Sequence, residues 1–287
     1  MTSRAVTVIL TLALLAWVEP ASATPFFFDT GDPNGLMATA SRPSSAGKVE
    51  IETGDDFVVS GGTLNLTSAT FQGLLPAGTP LSNVSRVVVE IYRVFPADSA
   101  FPPSGNVPTR VNSPSDLAFA SRDSVGGTLT FLPGIGASSF TAANSVLNGI
   151  NRSPNQTTLG EGPVTGQRVQ FNVVFTTPIS LPADHYFFVP QVQLDSGDFF
   201  WLSAPRPIVP PGISFAPDLQ SWIRNENLEP DWLRVGIDIV GGDAAFNAAF
   251  TLDGDLEVAT PEPASLVLLA TTMAGLGAAG WRRRRDR

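Results

Sequence analysis

The segment Arg168-Val169-Gln170-Phe171-Asn172-Val173-Val174-Phe175 alternates apolar and polar side chains. Its odd-numbered positions are all apolar, and positions 168, 170 and 172 are polar. A period of two is typical of a β-strand with one buried face, because successive side chains of a strand point to opposite sides. The segment therefore predicts a half-buried strand.

Similar segments recur along the chain. Leu252–Val258 alternates in the same way, whereas Val84–Phe95 and Tyr186–Leu194 are apolar on both faces and are predicted in the middle of a sheet. Further strands are predicted at 49–52, 64–74, 117–122, 128–132, 199–203, 235–240 and 246–251, and one short helix at 218–225. Ten or more strands separated by Gly- and Pro-rich turns predict an all-β fold, an antiparallel β-sandwich or jelly roll.

The composition restricts the chemistry of this domain. The chain of 287 residues contains no cysteine, which excludes disulfides and thiolate chemistry. Residues 24–260 hold 11 basic and 23 acidic side chains, a net charge of −12, and their one lysine is Lys48. Nucleic acids and anionic polysaccharides attract clustered basic side chains. The composition therefore argues against a nucleic-acid partner.

No catalytic motif is present in the sequence. The single histidine, His185, has no nucleophile motif with it, and no zinc-protease or phosphate-binding motif occurs. Paired carboxylates hydrolyse glycosides without histidine or cysteine. The sequence contains several candidate carboxylates but does not show that any two of them lie at the required separation. These candidates are Asp55, Asp56, Asp195, Asp198, Asp231 and Asp238. We expect no enzyme activity and assign no catalytic residue, with a carboxylate-based enzyme acting on polysaccharide as the rival hypothesis.

Two binding alternatives remain open. Asp29, Asp32 and Asn34 lie in a Gly-containing loop, and Asp253-Gly254-Asp255 forms a second one; such oxygens bind calcium, although the same residue types also form ordinary turns. A carbohydrate-binding module would stack sugars on exposed aromatic rings. Its candidate rings are Trp201, Trp222 and Trp232. The abundance of Phe over Tyr favours core packing for such aromatic residues.

The N-terminus has the pattern of a secretory signal peptide. Arg4 provides the positive charge, Val6–Val18 the apolar region, and Ala21-Ser22-Ala23 a small-x-small cleavage site. We expect export of the protein and cleavage after Ala23. The residues between this signal and the C-terminal tail are numerous enough for one large β domain or two small ones.

The C-terminal 27 residues combine three signals. Pro261-Glu262-Pro263 is followed by an apolar run from Ala264 to Trp281 and then by Arg282-Arg283-Arg284-Arg285. The apolar run of about 18 residues is just long enough to cross a bilayer as a helix. The arginine cluster predicts a cytoplasmic end. The two prolines keep the segment in front of the helix extended.

This tail (259–287) resembles the PEP-CTERM sorting signal of Gram-negative bacteria. The resemblance implies that Pro261, Glu262 and Pro263 are the recognition motif for exosortase, a membrane-embedded protease, and that 282–285 stop translocation. Thr260 departs from the family, which often has an aliphatic residue there. Four segments of the body, which is the part of the chain between the signal peptide and the tail, are also similar to segments of exported PEP-CTERM proteins of unassigned activity. These segments are Val89–Phe95, Arg110–Asp116, His185–Gln191 and Pro230–Arg234. Their similarity implies one continuous domain over residues 24–258.

The resemblance implies where the protein goes and which molecules it meets. We expect a membrane-anchored precursor that is processed by an exosortase-like protease and moves to the cell surface or extracellular matrix. PEP-CTERM proteins are associated with exopolysaccharide and biofilm, so the expected role is structural or adhesive, with extracellular polysaccharide as an expected partner. No cofactor is expected apart from the calcium alternative.

Overall fold

A computed structural model describes residues 23–151, 157–205, 219–242 and 244–258. The described residues from Pro25 to Leu256 belong to one compact unit. The predicted signal peptide, apart from Ala23, and the predicted sorting tail from residue 259 onward lie outside the described residues. Within the described ranges, no helix has both the length and the apolar character that a bilayer crossing requires.

The described residues form an all-β fold. In chain order its strands are β1 Ala23–Asp29, β2 Met37–Ala40, β3 Ile51–Val59, β4 Thr63–Leu75, β5 Val84–Val94, β6 Pro114–Asp123, β7 Leu129–Ala142, β8 Asn144–Val146, β9 Val164–Leu181, β10 Asp184–Leu194, β11 Phe200–Ala204, β12 Trp222–Asn225, β13 Leu233–Arg234, β14 Asn247–Ala248 and β15 Phe250–Glu257. A short 3-10 turn, Leu81–Asn83, precedes β5, and a π-helical turn, Val235–Val240, follows β13.

These strands form two sheets. The six-stranded sheet has the order β13-β12-β3-β10-β5-β6. The nine-stranded sheet contains the path β1-β15-β4-β11-β2-β8, with β9 added to β4, β7 added to β9, and β14 paired with β11. Most neighbouring strands are antiparallel, whereas β2 and β8 are parallel. The strands β5 and β10, predicted to be central, are both interior strands of the six-stranded sheet.

The two sheets share a hydrophobic core rich in phenylalanine. Phe71 of β4 stacks on Phe171 of β9 with ring centroids 4.9 Å apart, and it also contacts Phe188 of β10 in the other sheet at 6.4 Å. Phe28 of β1 and Phe57 of β3 lie 6.1 Å apart across the same interface. Burying one such ring contributes roughly 1.5–3 kcal/mol. This aromatic core holds the sheets together in a chain that has no disulfide.

The alternation that first predicted a strand is confirmed in β9. Its apolar side chains Val169, Phe171, Val173 and Phe175 are buried in the shared core. Asn172, on the other parity, is exposed. The core face of β9 is therefore apolar.

The long loop between β5 and β6 packs over the outer face of the six-stranded sheet. Arg110 of this loop lies between two carboxylates, with Nη2 2.9 Å from Asp116 Oδ1 and Nη1 2.9 Å from Asp231 Oδ1. All three side chains are at most 1% exposed. A buried ion pair with one partner removed is strongly destabilised. The triad therefore fixes the loop to the sheet.

Two local predictions are wrong. Trp222–Asn225 form β12, which pairs with β3, and are not part of a short helix. Val235–Val240 form a π-helical turn and not a strand. In the first case, pairing with a strand far away in sequence outweighs the local pattern. In the second, Asp238 accepts hydrogen bonds from the backbone and the guanidinium of Arg234, which stabilises the turn.

Candidate functional site

A cavity of about 660 Å³ opens on the outer face of the nine-stranded sheet. Strands β1, β4, β9 and β15 supply its walls, because their outward-facing positions alternate with the buried core positions. The lining side chains are mostly hydroxyl, amide and carboxylate groups. The lining residues are Phe27, Asp29, Gly31, Asp32, Thr70, Gln72, Gln170, Ala249, Phe250, Thr251 and Asp253.

One aromatic ring borders this cavity. In β1 the side chains of Phe26 and Phe28 are buried in the core, whereas the Phe27 ring between them is 44% exposed. The cavity therefore combines one exposed apolar ring with many hydrogen-bonding groups, and it is more polar than a typical drug-like pocket.

The polar groups of the cavity are held by hydrogen bonds to one another and to the backbone. Gln72 Nε2 donates to Asp32 Oδ1 at 3.2 Å, and the hydroxyls of Thr70 and Thr251 lie 2.7 Å apart. The Asp29 carboxylate accepts a hydrogen bond from the Gly31 backbone N–H at 2.7 Å. These bonds orient the lining before any ligand enters.

The cavity is acidic. Its lining includes three aspartates and no lysine or arginine. Burial, and then repulsion from the nearby Asp29 carboxylate, raises the pKa of Asp253 above its usual value. The cavity thus joins the aspartates at the end of β1 and in β15, which the sequence places more than 200 positions apart. The segment Asp253-Gly254-Asp255, predicted as a loop, is part of strand β15.

The predicted calcium ligands Asp29, Asp32 and Asn34 are not assembled into one site. Asn34 is not part of the cavity lining: its Nδ2 donates to the Ala204 carbonyl at 2.6 Å, and its Oδ1 accepts from the Ser203 hydroxyl at 2.6 Å. Among the described residues, no group of three or more His, Asp or Glu side chains is placed to hold a metal ion. We therefore propose no calcium site.

The alternative that the tryptophan rings stack on sugars is contradicted by their burial, and the favoured interpretation of core packing is confirmed. Trp201, Trp222 and Trp232 are 1%, 2% and 0% exposed. Trp201 lies in the shared core, where its Nε1 donates to the Ala249 carbonyl at 3.0 Å. Trp222 and Trp232 pack against Tyr92, Phe187 and Val189 on the outer face of the six-stranded sheet. Their large apolar area serves packing, and the exposed ring at the cavity is a phenylalanine.

A second polar cluster lies on the outer face of the six-stranded sheet. The Tyr92 hydroxyl lies 2.6 Å from Glu52 Oε1 and 3.0 Å from Glu90 Oε2. Arg224 donates from Nη2 to the Tyr92 oxygen at 2.9 Å and from Nε to Glu52. The Arg224 guanidinium also lies over the Trp232 ring, 4.4 Å from its centroid. We call Glu52, Glu90, Tyr92 and Arg224 the carboxyl network.

The carboxyl network shifts the pKa values of Glu90 and Arg224. Burial, repulsion from Glu52 and a hydrogen bond with the same carboxylate raise the pKa of Glu90 to about 8. Burial alone would lower the pKa of Arg224, but the neighbouring Glu52 carboxylate raises it overall. Glu90 is therefore largely protonated at neutral pH, and Arg224 remains a cation beside the Glu52 carboxylate.

Glu52 and Glu90 are linked through Tyr92. The Tyr92 hydroxyl bridges the two carboxyl groups. Glu52 is only 2% exposed and also contacts Arg224. The network therefore has the geometry of a structural cluster.

Five of the six carboxylates that the sequence offered for catalysis make structural contacts, and the sixth, Asp195, is exposed. Asp55 accepts hydrogen bonds from the Ser221 hydroxyl at 3.0 Å and the Ala248 backbone N–H at 2.8 Å. Asp56 lies 2.7 Å from His185 Nε2. Asp198 pairs with Arg42 and Lys48, Asp231 with Arg110, and Asp238 with Arg234.

Neither the cavity nor the carboxyl network was identified from the sequence, although a local signal existed for both. The alternation in Val89-Glu90-Ile91-Tyr92 places Glu90 and Tyr92 on the face opposite the core. The run Phe26-Phe27-Phe28 likewise turns its middle ring outward. Which strands would bring these groups together was not encoded in any local pattern.

Comparison with known proteins gives no relative. No family model, no curated protein and no solved structure matches this chain.

Proposed function

We propose that this chain is an exported structural or adhesive protein of the cell surface or extracellular matrix, sorted by an exosortase-like protease. The support for sorting is the order of proline motif, apolar run and arginine cluster in residues 261–285. Signal-peptide cleavage after Ala23 would remove only the first residue of β1. We class the architecture as a β-sandwich with jelly-roll-like character.

An adhesive protein needs a binding site, and we assign that site to the cavity. We infer that it binds extracellular polysaccharide, and the observation that carries this inference is its lining of amide, hydroxyl and carboxylate groups beside the exposed Phe27 ring. Sugar hydroxyls both donate and accept hydrogen bonds, so Gln72, Gln170 and the threonines offer suitable partners. An apolar ring suits the C–H face of a sugar. The acidic lining favours neutral or cationic sugars over anionic ones.

The test of adhesion is a titration with oligosaccharides prepared from the host's own exopolysaccharide. Because all described tryptophans are buried, calorimetry is a better readout than tryptophan fluorescence. The double variant Gln72→Ala, Gln170→Ala removes two amides from the cavity, and Gln193→Ala on the six-stranded sheet is the matched control. We expect saturable binding that weakens at least tenfold in the double variant alone. Equal binding by all three proteins would refute the cavity as the site.

The test of sorting replaces the proline motif. In the variant with Ala at positions 261, 262 and 263, we expect the chain to remain in the inner membrane with its arginine cluster, since the protease has lost its recognition segment. A control replaces only Thr260, which lies just outside the motif, by Val. Release of the triple variant into the medium at the normal rate would contradict the proposed sorting mechanism.

The rival function is a carboxylate-based enzyme acting on polysaccharide. The cavity aspartates provide a specific place to test it, because Asp29 and Asp253 interact electrostatically across the lining. We propose that the protein binds without turnover. Release of reducing sugar ends by the wild type, abolished in Asp253→Asn, would overturn that proposal in favour of the enzyme.

A further inference from the structure

The strand β7 forms a free edge of the nine-stranded sheet. Among the described residues it pairs only with β9. From Leu129 opposite Phe175 to Ile135 opposite Val169 the register is one to one, and it shifts only beyond Ile135. A regular seven-residue edge presents unpaired backbone N–H and C=O groups to its surroundings, which is a template for another strand.

This edge also exposes apolar side chains. Leu132 and Ile135 of β7 are 70% and 58% exposed, and Val174 of β9 is 54% exposed. Leu132 lies opposite Asn172 and Thr130 lies opposite Val174, so Leu132 and Val174 are diagonal neighbours on the outer face. Exposed apolar groups along an unpaired edge favour contact with a second protein surface.

The edge is free of charge in an acidic protein. The chain has no charged side chain from Ser124 to Asn151, which includes all of β7, and none from Val169 to Ala183 in β9 and the residues after it. The rest of the body carries the net charge of −12. Two copies that met elsewhere would bring like charges together, but two β7 edges would not.

The edge strand of the other sheet shows the usual protection. β6 carries Arg122 and Asp123, and Asp123 forms an ion pair with Arg86 on the neighbouring strand. Charged side chains on an edge strand disfavour pairing with another chain. In β7 the corresponding protection is limited to Pro133, which lacks one backbone N–H donor, and to the register shifts beyond Ile135.

We propose that residues Leu129–Ile135 of β7 pair antiparallel with the same residues of a second copy of this chain. A second copy is the partner whose edge has the same length and the same absence of charge, and a two-fold axis lets each edge satisfy the other. Pairing of one strand buries less than roughly 1,200 Å², the range of weak interfaces. The dimer is therefore weak, and its population depends on concentration. This inference stands apart from the cavity and from sorting.

Salt gives the proposal a distinctive signature. The repulsion between two acidic bodies acts over distance and is screened with a Debye length of about 10 Å at 0.1 M salt. The contact itself contains no ion pair. Association therefore strengthens as salt rises, whereas a dimer held by ion pairs would weaken.

The experiment is sedimentation velocity on the full-length chain in mild detergent over a range of concentrations. Leu132→Lys places a charge in the centre of the edge, and Leu117→Lys on β6, where the native side chain is 53% exposed, is the matched control. We expect wild type and control to share one dimerisation constant and Leu132→Lys to weaken it at least tenfold. Both sites are exposed, so neither substitution disturbs the core.

Single cysteines provide an independent readout, since the chain has none of its own. Under oxidation, a cysteine at position 132, which lies opposite its own copy in this register, should give a covalent dimer. A cysteine at position 130, which lies opposite position 134 of the second copy, or at position 117 should not, because the two sulfurs are then too far apart. A monomer at every concentration, unchanged association of Leu132→Lys, or the absence of cross-linking at position 132 would each overturn the proposal. Unchanged association of the lysine variant would assign the contact to the tail or to another surface.

Discussion

The titration of Glu90 gives the sharpest prediction about the folded domain. The pKa of Glu90 is about 8, compared with a usual value of 4.5. Because the folded-state pKa is raised, folding takes up a proton between these two pH values. The stabilisation by protonated Glu90 is therefore complete below about pH 4.5 and is lost as the pH rises through about 8.

The magnitude follows from the difference between the two pKa values. If the whole difference appeared as stability, it would amount to about 5 kcal/mol. Glu90 is only half-buried, so water screens part of the charge. We expect a loss of at least about 1.4 kcal/mol, a factor of ten in the folding equilibrium.

The assay compares urea unfolding of the wild type and Glu90→Gln from pH 5 to pH 9 at constant ionic strength. Glutamine keeps the shape of the protonated carboxyl and does not titrate. The free energy of unfolding of the wild type should therefore fall relative to that of the variant as the pH rises. Glu226→Gln, at an exposed carboxyl, should leave the wild-type profile unchanged. A constant difference between wild type and Glu90→Gln across the range would show that folding does not raise the pKa of Glu90.

Two further substitutions test the packing of the domain. Arg110→Met leaves two carboxylates buried without their cation, and we expect a loss of about 3–5 kcal/mol in urea unfolding; Arg86→Met, which breaks a half-buried pair near the surface, should cost below about 1 kcal/mol. Equal losses would contradict the importance of burial. Gly73→Ala would drive a Cβ into the Phe199 ring and should cost about 1–3 kcal/mol. Gly134→Ala meets no atom within 4 Å and should lower the melting temperature much less; similar shifts would contradict the packing described for Gly73.

The fold class was predictable because a strand with one buried face has an apolar side chain at every second position. The alternation in residues 168–175 and the apolar runs of β5 and β10 correctly indicated strands and their central places. The short helix around Trp222 was wrong, because pairing with β3 decides the conformation there. Local periodicity says which face of a strand is buried, but not which strand lies beside it.

The site was less predictable for the same reason. The cavity joins β1 and β15, which lie at opposite ends of the domain sequence, and the carboxyl network joins Glu52 to Arg224, which are 172 positions apart. The tryptophans show the converse difficulty. The number and spacing of the tryptophans in the sequence do not reveal that they are buried by the loop between β5 and β6 and by the packing of the two sheets. The pairing of strands that are distant in sequence decides which polar residues meet. The packing of loops and of the second sheet over each face decides which aromatic rings stay exposed.

The intact mass of the protein recovered from each cell fraction of its native host decides whether the tail is removed. We predict an extracellular species that begins near Thr24 and ends within residues Pro261–Pro263, together with a membrane precursor that retains the tail. A mature species confined to the inner membrane that still carries Trp281 and the arginine cluster would contradict exosortase-like sorting. In that case the tail is an ordinary anchor, and the proposed matrix function loses its main support.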